Sequence, residues 1–360
     1  MSDADRRRDD LVVRLLEANL ATYDLAAIHL GDRLGLYQAL AGGDPSTPGE
    51  LADRTGTRER YVREWLEQQA VTGILEVEDA ERPAGERRYR IPAGHDEVLL
   101  DRDSLSYISP LGRFSLGVLT GLPRLMQAFR EGGGVPYTEY GRDAREGQAE
   151  MNRTMFINLL GSQWIPALPD VDARLRADPP ARVADLACGT GWSSISLAKA
   201  YPKARITGID SDEASIDLAR RNVAAEGLAG RVGFQMGDAS EGSLEGRFDL
   251  VTIFEALHDM ARPVDALRQA RAMLAEGGAV VVADERVDPA FSAPNPRERL
   301  YYSWSVLFCL PTGMAEQPSA GTGAVMRPDT LRAYASEAGF RGVQALPIEN
   351  DFWRFYRLEP

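Results

Sequence analysis

Apolar residues recur at helical spacing from Leu11 to Leu40, as in Leu11, Leu15, Leu16, Leu20 and Leu25, and Gly42-Gly43 ends the run. Ser46-Thr47-Pro48-Gly49-Glu50 then combines a hydroxyl cap with a first-turn proline, which predicts a short helix through Leu51. After Gly56 a second helix carries Tyr61, Val62, Trp65, Leu66 and Gln69. Gly73 to Val77 and Arg88 to Ile91 read as two strands around a polar turn. Helices followed by a hairpin is the order of a winged helix. Residues 95 to 170 predict further helices, interrupted at Glu131-Gly132-Gly133-Gly134-Val135-Pro136, with Met155, Phe156, Leu159, Leu160 and Trp164 along one of them. Such helices roof a cleft or fill a core, and Met155, Phe156 and Trp164 are candidates for lining an acceptor pocket.

The pattern changes near Pro179-Pro180. Short apolar runs at Val183–Leu186, Arg205–Asp210, Val232–Met236, Phe248–Phe254 and Ala279–Ala283 alternate with helical stretches, and Gly277-Gly278 reads as the turn into the last of them. Strands separated by helices predict a parallel sheet covered on both faces, with a crevice at the strands' carboxyl ends. A final helix (Pro328 to Gly339) and a hairpin (Gly342 to Ile348, Asp351 to Leu358) complete the chain. The expected organisation is a winged-helix domain over 1–94, linking and cleft-covering helices over 95–179, and an α/β domain over 180–360.

Charge narrows the function. The chain has 41 Lys and Arg against 54 Asp and Glu, a net charge of −13, so it repels phosphate backbones and anionic lipid unless its positive charge clusters. It does not cluster on the winged helix. Ser46 to Pro92 holds 8 basic and 10 acidic residues, and Arg58, Arg60 and Arg63 alternate with Glu59, Glu64 and Glu67. A packing module is expected there rather than a nucleic-acid reader. Two cysteines, Cys188 and Cys309, make no disulfide framework, and the polar start MSDADRRRDD lacks a signal peptide's apolar stretch. With no long apolar run either, a cytoplasmic protein without membrane contact is expected.

Candidate chemistry lies at the strand ends. Asp185-Leu186-Ala187-Cys188-Gly189-Thr190-Gly191-Trp192 is a small-residue turn between strand and helix, open to close approach by a ligand. Asp210 ends the second strand, placed to accept ribose hydroxyls, and Asp238 follows the third, placed to accept from an adenine amino group. A dinucleotide fingerprint wants a third glycine where Ser194 stands. A pyrophosphate would also be repelled by Asp185, whereas a cationic aminoacyl group would be held. An adenosine joined to a cationic amino acid, S-adenosylmethionine, satisfies all three acids.

Residues 180 to 285 resemble a class I S-adenosylmethionine-dependent methyltransferase domain, departing at Ala187, where many members have the motif's first glycine. With its N-terminal half the chain resembles actinobacterial winged-helix methyltransferases and, more distantly, plant and polyketide O-methyltransferases. The resemblance implies a Rossmann-like seven-stranded domain and a homodimer formed through the mainly α N-terminal domain. It also implies an exchange of S-adenosylmethionine for S-adenosylhomocysteine. It places Asp185, Ala187, Gly189 and Gly191 on the methionine side, Asp210 and Ser211 at the ribose, Asp238 and Ala239 at the adenine, and Phe254 and Glu255 flanking the cofactor.

His258 sits in Leu257-His258-Asp259-Met260, at the carboxyl end of the fourth strand. It is similar to the general base of hydroxyl-directed members, although Met260 stands where a tryptophan is usual. Its ordinary pKa of ~6.5 suits the task. The resemblance makes Asp284 the acid that orients it, with neighbouring Glu285 as an alternative. The aromatic stretch with Trp304 and Phe308 is a further candidate acceptor pocket. No metal is required and no paired-cysteine or HExxH pattern is present. The expected reaction is methyl transfer to a small-molecule hydroxyl or carboxyl oxygen. Nitrogen or carbon acceptors, modified peptides included, remain alternatives. So do a cofactor-sensing winged-helix regulator without turnover and a relative that uses the cofactor for decarboxylation or hydroxylation.

Overall fold

A computed structural model describes residues 1–242 and 246–360. The chain forms two compact units, Met1–Gly117 with Glu146–Thr154, and Val118–Arg145 with Met155–Pro360. The stretch 95–179 is therefore no body of its own. Gly147 lies against the backbone of Phe114, and Arg102 pairs with Glu150, which holds 146–154 to the first unit. Val135 N donates to Pro311 O (2.9 Å) and the Tyr140 hydroxyl to Leu307 O (3.0 Å), which holds 118–145 to the second.

In the first unit a helix runs over Asp3–Arg33 behind a capping box in which Ser2 and Asp5 bond each other's backbone. The single helix expected over 11–40 is two, because Gly35 turns left-handed (φ 69°) before Leu36–Leu40. Thr47 caps Pro48–Thr55 with Glu50 as its reciprocal partner. Glu59–Val71 then turns Val62, Trp65, Leu66 and Gln69 inward. Strands β1 (Glu76–Glu78) and β2 (Arg88–Arg90) pair antiparallel and complete the winged helix around Leu36, Tyr37, Leu51, Leu66 and Tyr89. On the long helix Leu11, Val12, Val13, Leu15, Leu16, Leu20 and Tyr23 are all exposed.

The second unit is built on β3 (Arg182–Leu186), β4 (Arg205–Asp210), β5 (Val232–Met236), β6 (Phe248–Phe254), β7 (Leu274–Glu285), β8 (Gly342–Ala345) and β9 (Trp353–Glu359), in spatial order β5-β4-β3-β6-β7-β9-β8. The strands from β5 through β7 in that order are parallel. The β9 strand is antiparallel to both neighbours. The order reverses beside β3, so the crevice opens past the ends of β3, β4 and β6. Strand periodicity divides two cores: Ala279, Val281 and Ala283 face one, while Val280 and Val282 face the other. Gly277-Gly278 is not a turn before the fifth parallel strand. The strand begins at Leu274 and the glycines lie within a register shift against β6.

Two helical segments open into wider turns, Phe156–Trp164 and Ser305–Cys309, where bonds skip five residues, as in Ile165 N to Leu160 O (3.0 Å). Trp164 lies in the core of this unit. It is fully buried, with its ring centroid 4.7 Å from Phe355 and 5.5 Å from Trp353. Among the described residues no helix is long and apolar enough to cross a membrane.

Candidate active site

The turn after β3 is held by its own acids. Asp185, buried, accepts from the hydroxyls of Ser193 (2.6 Å), Ser194 (2.6 Å) and Thr252 (2.8 Å). Burial raises its carboxyl pKa and these hydroxyls oppose the rise. The serines belong to the helix Trp192–Ala200, so the carboxylate ties its first turn to β3 and β6. Ala187 has φ 54°, a left-handed backbone that a glycine would adopt more freely. Gly189 (φ 52°) and Gly191 (φ 83°) follow in the same region. A Cβ on Gly189 would meet nothing within 4 Å, whereas one on Gly191 would lie 2.5 Å from Phe234.

At the end of β4, Asp210 accepts from Gly189 N (2.8 Å) and Asp212 N (2.9 Å), linking the two strand ends. Burial pushes its pKa up to about 6. Ser211, exposed, separates it from Asp212, which caps the helix Glu213–Ala225. Asp238, half-buried, is already engaged. It accepts from Ser240 N and Oγ (2.7 Å each) and from Arg262 (2.8 Å), and together these outweigh burial and hold its pKa low. Ala239 follows it, half-buried. Phe254 ends β6 with its ring 5.7 Å from Phe156. Glu255 takes a left-handed φ of 51° while its N–H donates to Ala283 O (2.8 Å). Strained residues thus stand at the ends of β3 and β6 (Ala187, Glu255), where the crevice opens.

The β6 and β7 ends bring the base candidate to its acids. His258, 2% exposed, has Nδ1 2.8 Å from Asp284 Oδ1 and 3.0 Å from Glu285 Oε2. Both acids are buried, and Glu285 N donates to Asp284 Oδ1 (3.0 Å). Burial alone would favour neutral imidazole, but Asp284 and Glu285 outweigh it and hold the His258 pKa well above the ordinary range. Burial raises the Glu285 carboxyl strongly, with Asp284 adding to the rise. Asp284 stays low because His258 outweighs its burial. Asp259, half-buried, is pushed up to about 7 by burial. The three ligand-type atoms of His258, Asp284 and Glu285 lie within 4.8 Å of one another, close enough for a cation. One proton on Nδ1 satisfies the Asp284 contact, while Glu285 Oε2 accepts no hydrogen bond among the described residues.

Of the other expected pocket residues, Phe308 is buried against Tyr140 (ring centroids 4.8 Å). Trp304 is half-buried beside Tyr301 (6.3 Å), and Met155 is half-buried with its sulfur 4.0 Å from Asn350 Nδ2. Sequence reading missed Tyr137 and Arg145. Arg145, buried, forms a two-point ion pair with Asp212 (2.6 and 3.2 Å), and its guanidinium lies 5.7 Å from the Tyr137 ring centre. Burial, with Asp210 adding, raises the Tyr137 hydroxyl pKa strongly. Only a Gly-Gly-Gly-Val-Pro break marks this arm in the sequence.

Residues 177–309 match a family model described as a methyltransferase domain, and residues 24–101 match an Rv2258c-like winged HTH domain. An O-methyltransferase of Pyrenophora dematioidea is 28% identical over 49% of this chain. The O-methyltransferase cnsE of Penicillium expansum is 33% identical over 51% of it. The chain spans 60% of the length of each. The human N-acetylserotonin methyltransferase, solved in complex with SAM, superposes with a TM-score of 0.68 at 20% identity, covering 100% of this chain and 98% of that one. This chain therefore carries a methyltransferase domain of Rossmann-like class I fold together with an Rv2258c-like winged helix-turn-helix domain.

Proposed function

We propose that the protein is an S-adenosylmethionine-dependent methyltransferase acting on a hydroxyl oxygen of a small molecule, with His258 as general base. The observation that carries this is the His258 Nδ1–Asp284 contact of 2.8 Å past the carboxyl ends of β6 and β7, next to the acid-tipped ends of β3 and β4. The donor set fits the cofactor. The strand ends carry Asp185, Asp210 and Asp238, an open turn surrounds Gly189, and the N-terminus of the helix Trp192–Ala200 faces the crevice. This suits a nucleoside with a cationic tail better than a pyrophosphate. Bound S-adenosylmethionine supplies an already activated methyl group.

Within this reading, Ala187 to Gly191 line the methionine side. Asp210 and Ser211 take the ribose, Asp238 and Ala239 the adenine edge, and Phe254 and Glu255 the flanks. Asp284 fixes the imidazole by accepting from Nδ1, which leaves Nε2 to receive the acceptor's hydroxyl proton. Met155, Phe156, Trp304 and Phe308 are the residues through which the acceptor is selected.

The winged helix serves packing and pairing of two copies rather than DNA binding. Several of its arginines are paired in place, Arg60 with Glu64 (2.5 Å), Arg63 with Glu59 (3.4 Å) and Arg87 with Glu67 (2.7 Å). The unpartnered apolar stripe of the helix Asp3–Arg33 suits a second copy of the same helix.

The test is transfer of labelled methyl groups to a panel of phenols, alcohols, carboxylic acids and amines by wild type and His258→Gln. Turnover on hydroxyl acceptors should fall about 10²–10⁴-fold in the variant, with donor affinity retained. Unchanged turnover removes the base assignment, and transfer to amines alone removes the acceptor class.

A further inference from the structure

Glycines set the course of the arm 132–141. Gly132 and Gly133 (φ 83° and 80°) turn the chain left-handed at its start, and Gly141 (φ 74°) does so at its end. Between them Gly134 passes so close to the stretch 305–315 that a Cβ there would lie 2.0 Å from Pro311 O and 2.5 Å from Ala315 N. Val135 N and the Tyr140 hydroxyl then bond that same stretch, at Pro311 O and Leu307 O. Tyr137 is fixed between these anchors.

Tyr137 joins two walls of the crevice. The first is the end of β4. Arg145, whose guanidinium lies 5.7 Å from the Tyr137 ring centre, is held by two bonds to Asp212, and Asp212 N donates to Asp210 Oδ1 (2.9 Å). Gly189 N donates to the other oxygen, Asp210 Oδ2 (2.8 Å). One backbone bond to each oxygen fixes the carboxylate plane and leaves each oxygen able to accept a hydroxyl. The second wall is the stretch 305–315, where Phe308 has its ring centroid 5.8 Å from that of Tyr137. This stretch lies against the loop bearing His258, since a Cβ on Gly313 would come within 2.9 Å of Asp259 O.

A ligand whose hydroxyls sit on Asp210 and whose reactive end reaches His258 has to run past the Tyr137 ring. The phenol hydroxyl agrees with that placement. Burial raises its pKa, Asp210 and Asp212 from the β4 end and Asp259 from the base loop add to the rise, and Arg145 opposes it. The side chain as a whole is only half-buried, so part of the ring is open to contact.

We propose that Tyr137 is a donor-contacting residue, its ring closing over the ribose-to-sulfur part of the methyl donor while Arg145 holds it at the ribose corner. The inference rests on the proposed donor chemistry. The ring covers apolar faces of the sugar and its 5′ carbon and keeps water from between the donor and Phe308. Its hydroxyl, enclosed near Asp210, adds a polar partner at the ribose edge. Methyl donor and thioether product share this part of their structure, so the contact serves both alike.

The experiment is titration calorimetry on the full chain, without any acceptor, using S-adenosylmethionine and S-adenosylhomocysteine as probes. Tyr137→Ala should weaken both by about 10–100-fold and to the same degree, the loss expected for one buried aromatic contact. Tyr137→Phe keeps the ring and forfeits one hydrogen bond, so it should stay within about tenfold of wild type. A second measurement leaves the ring in place. The chain has 12 tyrosines, and with fluorotyrosine at these positions Tyr137→Phe and Tyr61→Phe assign two of the fluorine signals. The Tyr137 signal should shift as S-adenosylhomocysteine is added, and that of Tyr61, exposed on the winged helix, should not.

Affinities within about twofold of wild type in Tyr137→Ala, or an unmoved Tyr137 fluorine signal at saturation, would overturn the contact and leave the donor standing. A loss confined to S-adenosylmethionine would also overturn it, because the ring would then touch the transferred methyl alone. Wild type that binds neither nucleoside would defeat the proposed donor itself, and this contact with it.

Discussion

Replacing Asp185 by asparagine separates two tasks that the structure loads onto one carboxylate. An ionised carboxylate accepts about four hydrogen bonds; the hydroxyls of Ser193, Ser194 and Thr252 take three, and the Ser194 backbone N–H also donates toward it. In Asp185→Asn the amide oxygen can replace Oδ2 and keep both serines. The amide nitrogen then faces Thr252, whose hydroxyl can turn to donate to Ala184 O, 3.4 Å away. All three contacts survive without charge assistance, at a cost of about 1 kcal/mol each, and relief from burying an ionised group offsets much of that. The net loss should be within about 2 kcal/mol. Asp185→Ala leaves three hydroxyls without their acceptor and opens a void, costing at least about 2 kcal/mol more than the asparagine variant. If this carboxylate also holds the donor's amino group, asparagine forfeits one charge-assisted interaction of about 1.5–3 kcal/mol, or roughly 10–150-fold in donor affinity. Thermal unfolding ranks stability and titration calorimetry measures affinity on the same preparations. Donor affinity within about twofold of wild type in Asp185→Asn would refute the binding role and leave Asp185 an organiser of the turn. Equal stability of the two variants would refute the hydroxyl argument.

Further outcomes follow from individual contacts. Gly191→Ala places a Cβ 2.5 Å from Phe234 and 3.0 Å from Ala219 at φ 83°, and should cost about 2–4 kcal/mol. Gly189→Ala meets open space at φ 52° and should cost only about 1–2 kcal/mol by denaturant unfolding. In the proposed ribose role Asp210 would act as a carboxylate, and burial pushes its pKa up to about 6, so affinity for both the methyl donor and the thioether should weaken as pH falls through about 6. Calorimetry across that range tests this, and Asp210→Asn should flatten the dependence. Arg145→Met strands Asp212 without its partner and should lower stability by about 3–5 kcal/mol in thermal or denaturant unfolding. Leu16→Glu with Leu20→Glu should halve the solution mass measured by light scattering, because it charges the exposed stripe of the first helix.

Much of this architecture is legible in sequence because short-range physics controls it. Thr47 and Glu50 announce their helix through a reciprocal cap, and Val280 to Val282 announce a strand covered on both faces. The acids at strand ends could be placed because the parallel arrangement fixes where strands end. What escaped depends on partners far along the chain. Gly277-Gly278 looks like a turn until pairing with β6 makes it a bulge. Phe156 to Trp164 spans too few turns for apolar spacing to tell a wide helix from an ordinary one, and the contacts of Trp164 with Trp353 and Phe355 join residues about 190 positions apart. The helix break at Gly35 needs a positive φ that spacing does not record. Tyr137 and Arg145 reach Asp212 and the Asp210 end of β4 across some 70 residues, a separation no local pattern reports.

The bonds that hold the arm 135–140 reach further than that arm. Val135 and Tyr140 are fastened to the main chain at Pro311 and Leu307. The same stretch continues to Gly323 and Ala320, whose amides bond the carbonyls of His258 and Ala261. Two sequence-distant pieces and the loop bearing His258 are thus yoked by three backbone bonds, which survive a change of side chain, and by the Tyr140 hydroxyl. Swapping 305–323 alone from a relative would detach one end of that yoke, so a chimera aimed at a new acceptor has to transplant 132–145 with it.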